Sequence, residues 1–262
     1  MKSTHIEELK RKIIEVHGSW TAHNIHLGEG VFTIGHDICG DNIKLNRILQ
    51  IVRDLTSGPP ESLRILDLGC LEGLYSTAFA SQGASVVAIE GRQSNLAKAQ
   101  FAKAMLGLKH LTLLHEDVRC LNPDRHGFFD VVLCLGLLYH LDAPDVFCFL
   151  QQISEVCQHF AVFDTHICQE ASANREFAGR TFWGSVYNEH APDASMAQKL
   201  AAPWASLDNT ASFWLTRQSL IDALDLAGFS SVFECHLPFE PNKPADRLTL
   251  VAMKGQKVMS QT

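Results

Sequence analysis

From Arg64 onward the chain alternates short apolar runs with longer amphipathic ones. Ile65-Leu66-Asp67-Leu68 reads as a strand, and a glycine-rich turn leads into a helix from about Gly73 to Gln82, stopped by Gly83. Ser85 to Glu90 is a second strand, followed by a helix to Leu106 with Gly107 as its C-terminal cap. Leu111 to Leu114 and Phe129 to Leu135 give a third and a fourth strand. Asp142 is expected to cap a helix with Pro144 in its first turn, ending at Cys157, and Ala161 to Phe163 is a fifth strand. A last helix, Thr216 to Gly228, precedes two terminal strands, Ser231 to Cys235 and Leu248 to Met253, expected to pair as an antiparallel hairpin at the sheet edge. Near-continuous apolar strands between amphipathic helices predict an α/β fold with a doubly wound, mostly parallel seven-stranded sheet buried on both faces.

Two segments fall outside that pattern. Residues 1–60 predict one or two helices and a strand-like piece at Gly30 to Ile34, read as an N-terminal helical cap. Residues 165–216 interrupt the core and read as a cap insertion, leaving 61–164 as a ligand-binding core that 217–262 completes. The composition, 46% apolar and 19% charged over 262 residues, is that of a globular chain and excludes a disordered or fibrous one. A net charge of −7 gives no global attraction for nucleic acid or anionic lipid. No apolar run approaches the roughly 20 residues of a membrane span, and Met1 to Lys12 lacks the apolar stretch of a secretory signal. The eight cysteines include no C-x-x-C pair, so a reduced, metal-free, cytoplasmic protein is expected.

The chemistry concentrates in Asp67-Leu68-Gly69-Cys70-Leu71-Glu72-Gly73. In a doubly wound sheet, ligands bind beyond the carboxyl ends of the strands. Gly69 lets backbone approach a ligand, and Gly73 lets the next helix start close to the strand. Glu90, 21 residues after Gly69, ends the second strand, where a carboxylate can accept both hydroxyls of a ribose. A pyrophosphate site would need G-x-G-x-x-G and its backbone N–H groups. This loop instead sets Asp67 and Glu72 nearby, which repel phosphate and suit a cationic ligand. A P-loop is excluded because no G-K-[ST] follows.

Together, D-L-G-C-L-E-G, A-I-E-G-R, H-E-D-V-R and F-D-V-V-L-C-L-G-L-L-Y-H-L resemble the ordered motif set of class I S-adenosylmethionine-dependent methyltransferases over about 100 residues, Arg64 to Asp164. The resemblance implies S-adenosyl-L-methionine as cofactor and S-adenosyl-L-homocysteine as product. It implies that Asp67 and Gly69 line the methionine end, with Leu68 and Cys70 also among the cofactor-binding residues. Glu90 would hold the ribose, with Gly91 and Arg92 beside the adenine. Asp117 would bond the adenine amino group, Val118 would give a backbone contact, and Leu135 would face the sulfonium. Leu71 stands where the motif usually has its third glycine, narrowing the space there.

Transfer from a sulfonium needs a general base only if the acceptor is protonated. His140 and His166, after the fourth and fifth strands, are the candidate bases, with Asp164 and Tyr139 beside them. The alternative for each histidine is a hydrogen bond to backbone at a strand end. The segment G-L-L-Y-H is similar to one in the bacterial wobble-uridine carboxymethyltransferase family, as is Trp20 to Val31 to its W-x-x-x-I-x-L-G-x-G stretch. That resemblance implies that Tyr139 lies beside the cofactor's methionine portion. A carboxylated cofactor would need a cation, for which Lys44 or Arg47 could serve, although both read first as solvated helix-face charges.

A tRNA partner is disfavoured. Residues 1–60 carry seven basic and seven acidic residues, and residues 170–262 carry eight and ten. A small-molecule acceptor with an O, N or S atom is expected, under a cap in which Trp20, Trp183 and Trp204 line the site and Arg180 and Asn209 orient the acceptor. The rivals are a tRNA-modifying transferase, a non-catalytic module that binds adenosylmethionine or adenosylhomocysteine, and a nicotinamide-dependent enzyme, the last opposed by the loop carboxylates.

Overall fold

The computed structural model describes residues 2–35 and 40–256, the side chains of 40–42 aside. It divides into two compact units, Met1–Val118 with Leu237–Pro241 and Arg119–His236 with Asn242–Thr262. The first contains helix α1 (Ser3–His17), the short strands β1 (His26–Gly28) and β2 (Val31–Phe32), and helix α2 (Gly40–Leu55). Then come β3 (Arg64–Leu68), α3 (Leu74–Ser81), β4 (Ser85–Glu90), α4 (Gln93–Leu106) and β5 (Leu111–His115). β3 pairs in parallel with β4 up to Leu68↔Ile89, and β4 with β5 up to Glu90↔His115. The carboxyl ends of the three strands therefore finish level.

Glu72 organises this unit. Its side chain is fully buried and accepts from Thr21 N–H (2.8 Å), Ala22 N–H (3.2 Å), His23 N–H (3.1 Å) and Lys98 Nζ (3.1 Å). Lys98 also donates to Ser19 O at 2.6 Å. A buried carboxylate is tolerated only when paired and hydrogen-bonded. The consequence is that residues 19–23 are pinned to the turn before α3. His23 adds a second tie, because its Nδ1 accepts the Leu74 N–H at the start of α3 (3.1 Å). Glu72 was expected to serve a ligand; it is turned inward and saturated by the protein.

The second unit contains α5 (Pro123–His126), β6 (Phe129–Leu135), α6 (Asp145–Val156), β7 (Cys157–His166), β8 (Ala173–Phe177), β9 (Arg180–Asn188), α7 (Met196–Ala201), β10 (Ala211–Leu215), α8 (Arg217–Leu226), β11 (Ser231–Glu234) and β12 (Arg247–Met253). β6 runs parallel to β7 with Leu135 opposite Asp164. β12 runs antiparallel to β7 with Arg247 opposite His166, and β11 is antiparallel to β12, the expected hairpin. The strand order β11-β12-β7-β6-β3-β4-β5 makes one mostly parallel seven-stranded sheet. No helix among the described residues is long and apolar enough to cross a membrane.

Two expectations change. The insertion, in which no strand was expected, contains a three-stranded antiparallel sheet, β10-β9-β8. Its alternation was hidden because β9 carries aromatic residues on both faces, Phe182 on one and Trp183 and Tyr187 on the other. Phe182 and Phe177 pack on Phe147 of α6, at 4.6 and 5.0 Å between ring centroids. The second change is at α6, which starts at Asp145, because the Asp142 carboxylate accepts the Ala143 N–H (2.8 Å) and caps no helix.

Breaking a buried charge pair costs about 3–5 kcal/mol. Glu72→Ala is expected to destabilise the protein by that order in urea unfolding. A loss below about 1 kcal/mol would contradict the role given to Glu72.

Candidate active site

In the first unit the loop after β3 is held from below by Glu90. Leu71 N–H donates to Glu90 Oε2 (2.9 Å) and Arg92 N–H to Oε1 (2.7 Å). The Glu90 side chain is buried, and burial pushes its carboxyl pKa up, against the bonds from Arg92 and Leu71. The Asn95 side chain bonds the same carboxylate; a carboxylate has about four acceptor sites, so these three bonds still leave acceptor capacity for a ligand. Gly69 has φ 65° and Leu71 φ 50°. Leu71 is thus a non-glycine residue in the left-handed region, held there while its N–H serves Glu90. At Gly73 (φ 88°) a Cβ would stand 3.0 Å from Ala99 Cβ, so the glycine permits the close approach of α3 to α4.

Asp67 is buried at the end of β3 and accepts from Ser76 Oγ on α3. Burial pushes its carboxyl up to about 6, against the Ser76 hydrogen bond. Leu68 and Cys70 are buried beside it, and burial raises the Cys70 thiol well above its ordinary range, so Cys70 packs as an apolar group. Gly91 and Arg92 lie between β4 and α4, and Asp117 and Val118 lie just past β5. The ligand residues expected in this unit therefore gather at one edge of β3, β4 and β5.

In the second unit Leu135 ends β6, and Tyr139 lies in a single 3-10 turn, Leu138–His140. Tyr139 stands between two histidines, its ring centroid 4.2 Å from His140 and 4.8 Å from His166. Both imidazoles bond carboxylates, not backbone. His140 Nδ1 lies 3.0 Å from both oxygens of Glu189, whose side chain is almost fully buried. Glu189 also accepts from Ser212 Oγ and Ser206 N–H, each at 2.8 Å. Burial alone would raise the Glu189 carboxyl, but the His140, Ser212 and Ser206 bonds outweigh it and hold it below the usual range. The ionised carboxylate can only accept, so Nδ1 carries a proton, and in the neutral imidazole the lone pair is then on Nε2.

His166 differs. Its Nδ1 faces Asp246 Oδ2 (3.0 Å) and its Nε2 faces Arg247 Nη1 (3.2 Å). A guanidinium can only donate, so both ring nitrogens of His166 are engaged. Burial lowers its pKa, with Asp246 opposing. Arg247 Nε also donates to the buried Asp164 (2.6 Å), which accepts Thr249 Oγ1 as well (3.0 Å). The Arg247 guanidinium lies 5.8 Å from the Tyr139 ring centre. Burial raises the Tyr139 pKa, against Arg247, so the phenol stays protonated.

The expected acceptor residues scatter. Trp20 is buried against Phe101 (5.8 Å) and beside Lys98, so it packs the first unit and lines no surface. Arg180 is half-exposed in an ion pair with Asp225 (3.0 Å). The Asn209 side-chain amide donates to the backbone carbonyls of His140 (2.9 Å) and Ala211 (2.6 Å), so it fixes the His140 turn. Trp204 is largely exposed, and Trp183 is half-exposed on β9. Arg47 is not a solvated charge: its side chain is buried and bonds Glu240 Oε2 (3.2 Å) and Pro238 O (2.7 Å). Sequence reasoning missed Glu189, Arg247 and Asp246. A charged residue heading the apolar run Leu248 to Met253 is a signal for Arg247, but its neighbours follow only from the register with β7. Among the described residues no group of three His, Cys, Asp or Glu is placed to hold a metal ion.

Residues 65–159 match the family model described as a methyltransferase domain. A ubiquinone biosynthesis O-methyltransferase of Rickettsia felis is 33% identical over 123 residues, 46% of this chain and 47% of that one. One from Azotobacter vinelandii is 36% identical over 81 residues, 31% of this chain and 34% of that one. The chain thus spans half or less of the length of these relatives. The crystal structure of the N-terminal domain of EvdMO1 in the presence of SAH and D-fucose superposes with a TM-score of 0.73 at 26% identity, covering 95% of this chain and 97% of that one. The magnesium protoporphyrin IX methyltransferase ChlM of Synechocystis PCC 6803 shares the fold, with a TM-score of 0.55 at 15% identity over 97% and 96% of the chains. The fold is the Rossmann-like one of class I methyltransferases.

An acid whose folded pKa is raised costs stability once pH exceeds its unfolded value. For Asp67 that cost begins near 4 and is complete above about 6. Asp67→Asn is therefore expected to gain about 1–3 kcal/mol of stability at pH 7.5 and to match the wild type near pH 4. Equal stability of the two at both pH values would contradict the burial assigned to Asp67.

Proposed function

We propose that the protein is an S-adenosylmethionine-dependent methyltransferase whose acceptor is a hydroxyl of a small molecule. The observation that carries the reading is Glu90: a buried carboxylate at the level edge of β3, β4 and β5, tied to Leu71 and Arg92 and keeping acceptor capacity for a ribose. The residues present suit an adenosyl sulfonium, because Asp67 and Glu90 are acids and the loop holds no Lys or Arg for a phosphate. When bound, the cofactor supplies an electrophilic methyl group on a sulfonium leaving group. Glu90 would hold the ribose, and Gly69, Leu71 and Asp117 would lie along the nucleoside and methionine portions.

His140 is the base. Its Nε2 lone pair would take the proton of an acceptor hydroxyl as that oxygen is methylated. Glu189 fixes the tautomer this requires and stabilises the imidazolium that results. His166, engaged at both nitrogens, holds Arg247 instead. A hydroxyl acceptor is also in keeping with the O-methyltransferase names of the sequence relatives and with the sugar present in the EvdMO1 crystals.

A second reading is transfer of a carboxylated methyl group, as the G-L-L-Y-H segment implies. Arg247 is the cation beside Tyr139 that it needs, in place of Lys44 or Arg47. Native mass spectrometry of the purified protein separates the two. Bound adenosylmethionine or adenosylhomocysteine supports the first reading, and a carboxylated adenosylmethionine supports the second.

Loss of the Glu90 carboxylate removes charged hydrogen bonds of about 1.5–3 kcal/mol. Glu90→Ala is expected to weaken adenosylhomocysteine binding roughly 10- to 100-fold in calorimetry, and unchanged binding would contradict the ribose assignment. Glu189→Gln is expected to lower kcat about 10²- to 10⁴-fold with cofactor affinity unchanged. Turnover equal to wild type would remove Glu189 and His140 from the chemistry.

A further inference from the structure

The three-stranded sheet carries a row of side chains that leads away from the candidate base. Along β9, alternate residues share a face: Trp183, Ser185 and Tyr187 lead to Glu189 just beyond the strand. The register places Trp214 of β10 opposite Ser185 and Ser212 opposite Tyr187, on the same face. Asn174 of β8 lies opposite Trp183. The row is continuous with the candidate base. Tyr187 stacks on Trp214 (4.7 Å, 18°), and Trp214 stacks on His166 (5.1 Å, 23°) and meets the Tyr139 edge (5.6 Å).

Two stacked rings thus engage Trp214. The open rings are Tyr187, 49% exposed, and Trp183, 52% exposed. Four residues apart on a strand, they are separated by about 13 Å, too far for one six-membered ring to touch both. Short polar groups stand around and between them: Asn174, and the hydroxyls of Ser185 and Ser172, 3.1 Å apart.

This chemistry selects the ligand. Exposed aromatic faces interleaved with hydroxyl and amide groups match the apolar faces and hydroxyl rims of sugar rings. A prenyl chain would strip water from those polar groups without replacing their hydrogen bonds. The row contains no Lys or Arg, which disfavours a polyanion. Resting on the methyltransferase reading above, we infer that the acceptor is a glycoside of at least two rings. One ring carries the methylated hydroxyl at His140, and the outer part of the molecule lies on Tyr187 and Trp183.

The test is calorimetric titration of adenosylhomocysteine-saturated protein with D-fucose, with the β-linked disaccharide of D-fucose and with geraniol. The disaccharide is expected to bind at least tenfold more tightly than the monosaccharide. Trp183→Ala and Tyr187→Ala should each reduce that advantage while leaving adenosylhomocysteine affinity unchanged. Equal affinities, no binding of either sugar, tighter binding of geraniol, or an advantage retained in both variants would overturn the inference while leaving the methyltransferase reading intact. Failure of adenosylhomocysteine itself to bind would overturn both.

Discussion

A single carboxylate fixes the geometry on which the proposed nucleoside site depends. Glu90 receives the Leu71 N–H on one oxygen and the Arg92 N–H on the other. It therefore joins the turn after β3 to the turn after β4 across the edge where both strands end. Leu71 sits in a backbone region that a branched residue adopts only when held. Glu90 holds it, and the same carboxylate keeps lone pairs for a ligand. Structural constraint and binding chemistry thus reside in one group.

The acids of the first unit divide by where their partners lie. Glu72 is saturated by backbone N–H groups and by Lys98, and it ties the N-terminal segment to the loop. Asp67 has a neutral partner, Ser76, and burial holds its carboxyl near 6. That costs stability at neutral pH, and it places a near-neutral titrating group where a cationic ligand is proposed to lie. In the second unit the same logic separates the two histidines. His140 has a carboxylate on one nitrogen and a lone pair on the other. His166 has Asp246 and Arg247 on its two sides.

Most of the fold was legible because the parallel strands are continuous apolar runs, bounded by glycines that must sit where the backbone turns. Ser85 to Glu90 and Phe129 to Leu135 read from sequence with the bounds they have in the structure. The β8–β9–β10 sheet was not legible, because its aromatic residues point both ways and blur the two-residue period. The edge proposed to hold the nucleoside could be placed because its residues follow strands directly. The Arg247, Asp246 and Glu189 contacts were not, because each partner is 49 or more residues away and is set by strand register. Trp20 shows the opposite limit: its apolar character was plain, but the direction in which it packs depends on Phe101 and Lys98, which only the fold brings near.

Everything proposed for the acceptor presupposes an adenosyl ligand gripped by acids and not by a phosphate cradle. Side-by-side calorimetry of the wild-type protein with adenosylhomocysteine and with NADH measures this directly. One-to-one binding of adenosylhomocysteine and no heat with NADH are expected. Saturable NADH binding with none for adenosylhomocysteine would contradict this expectation.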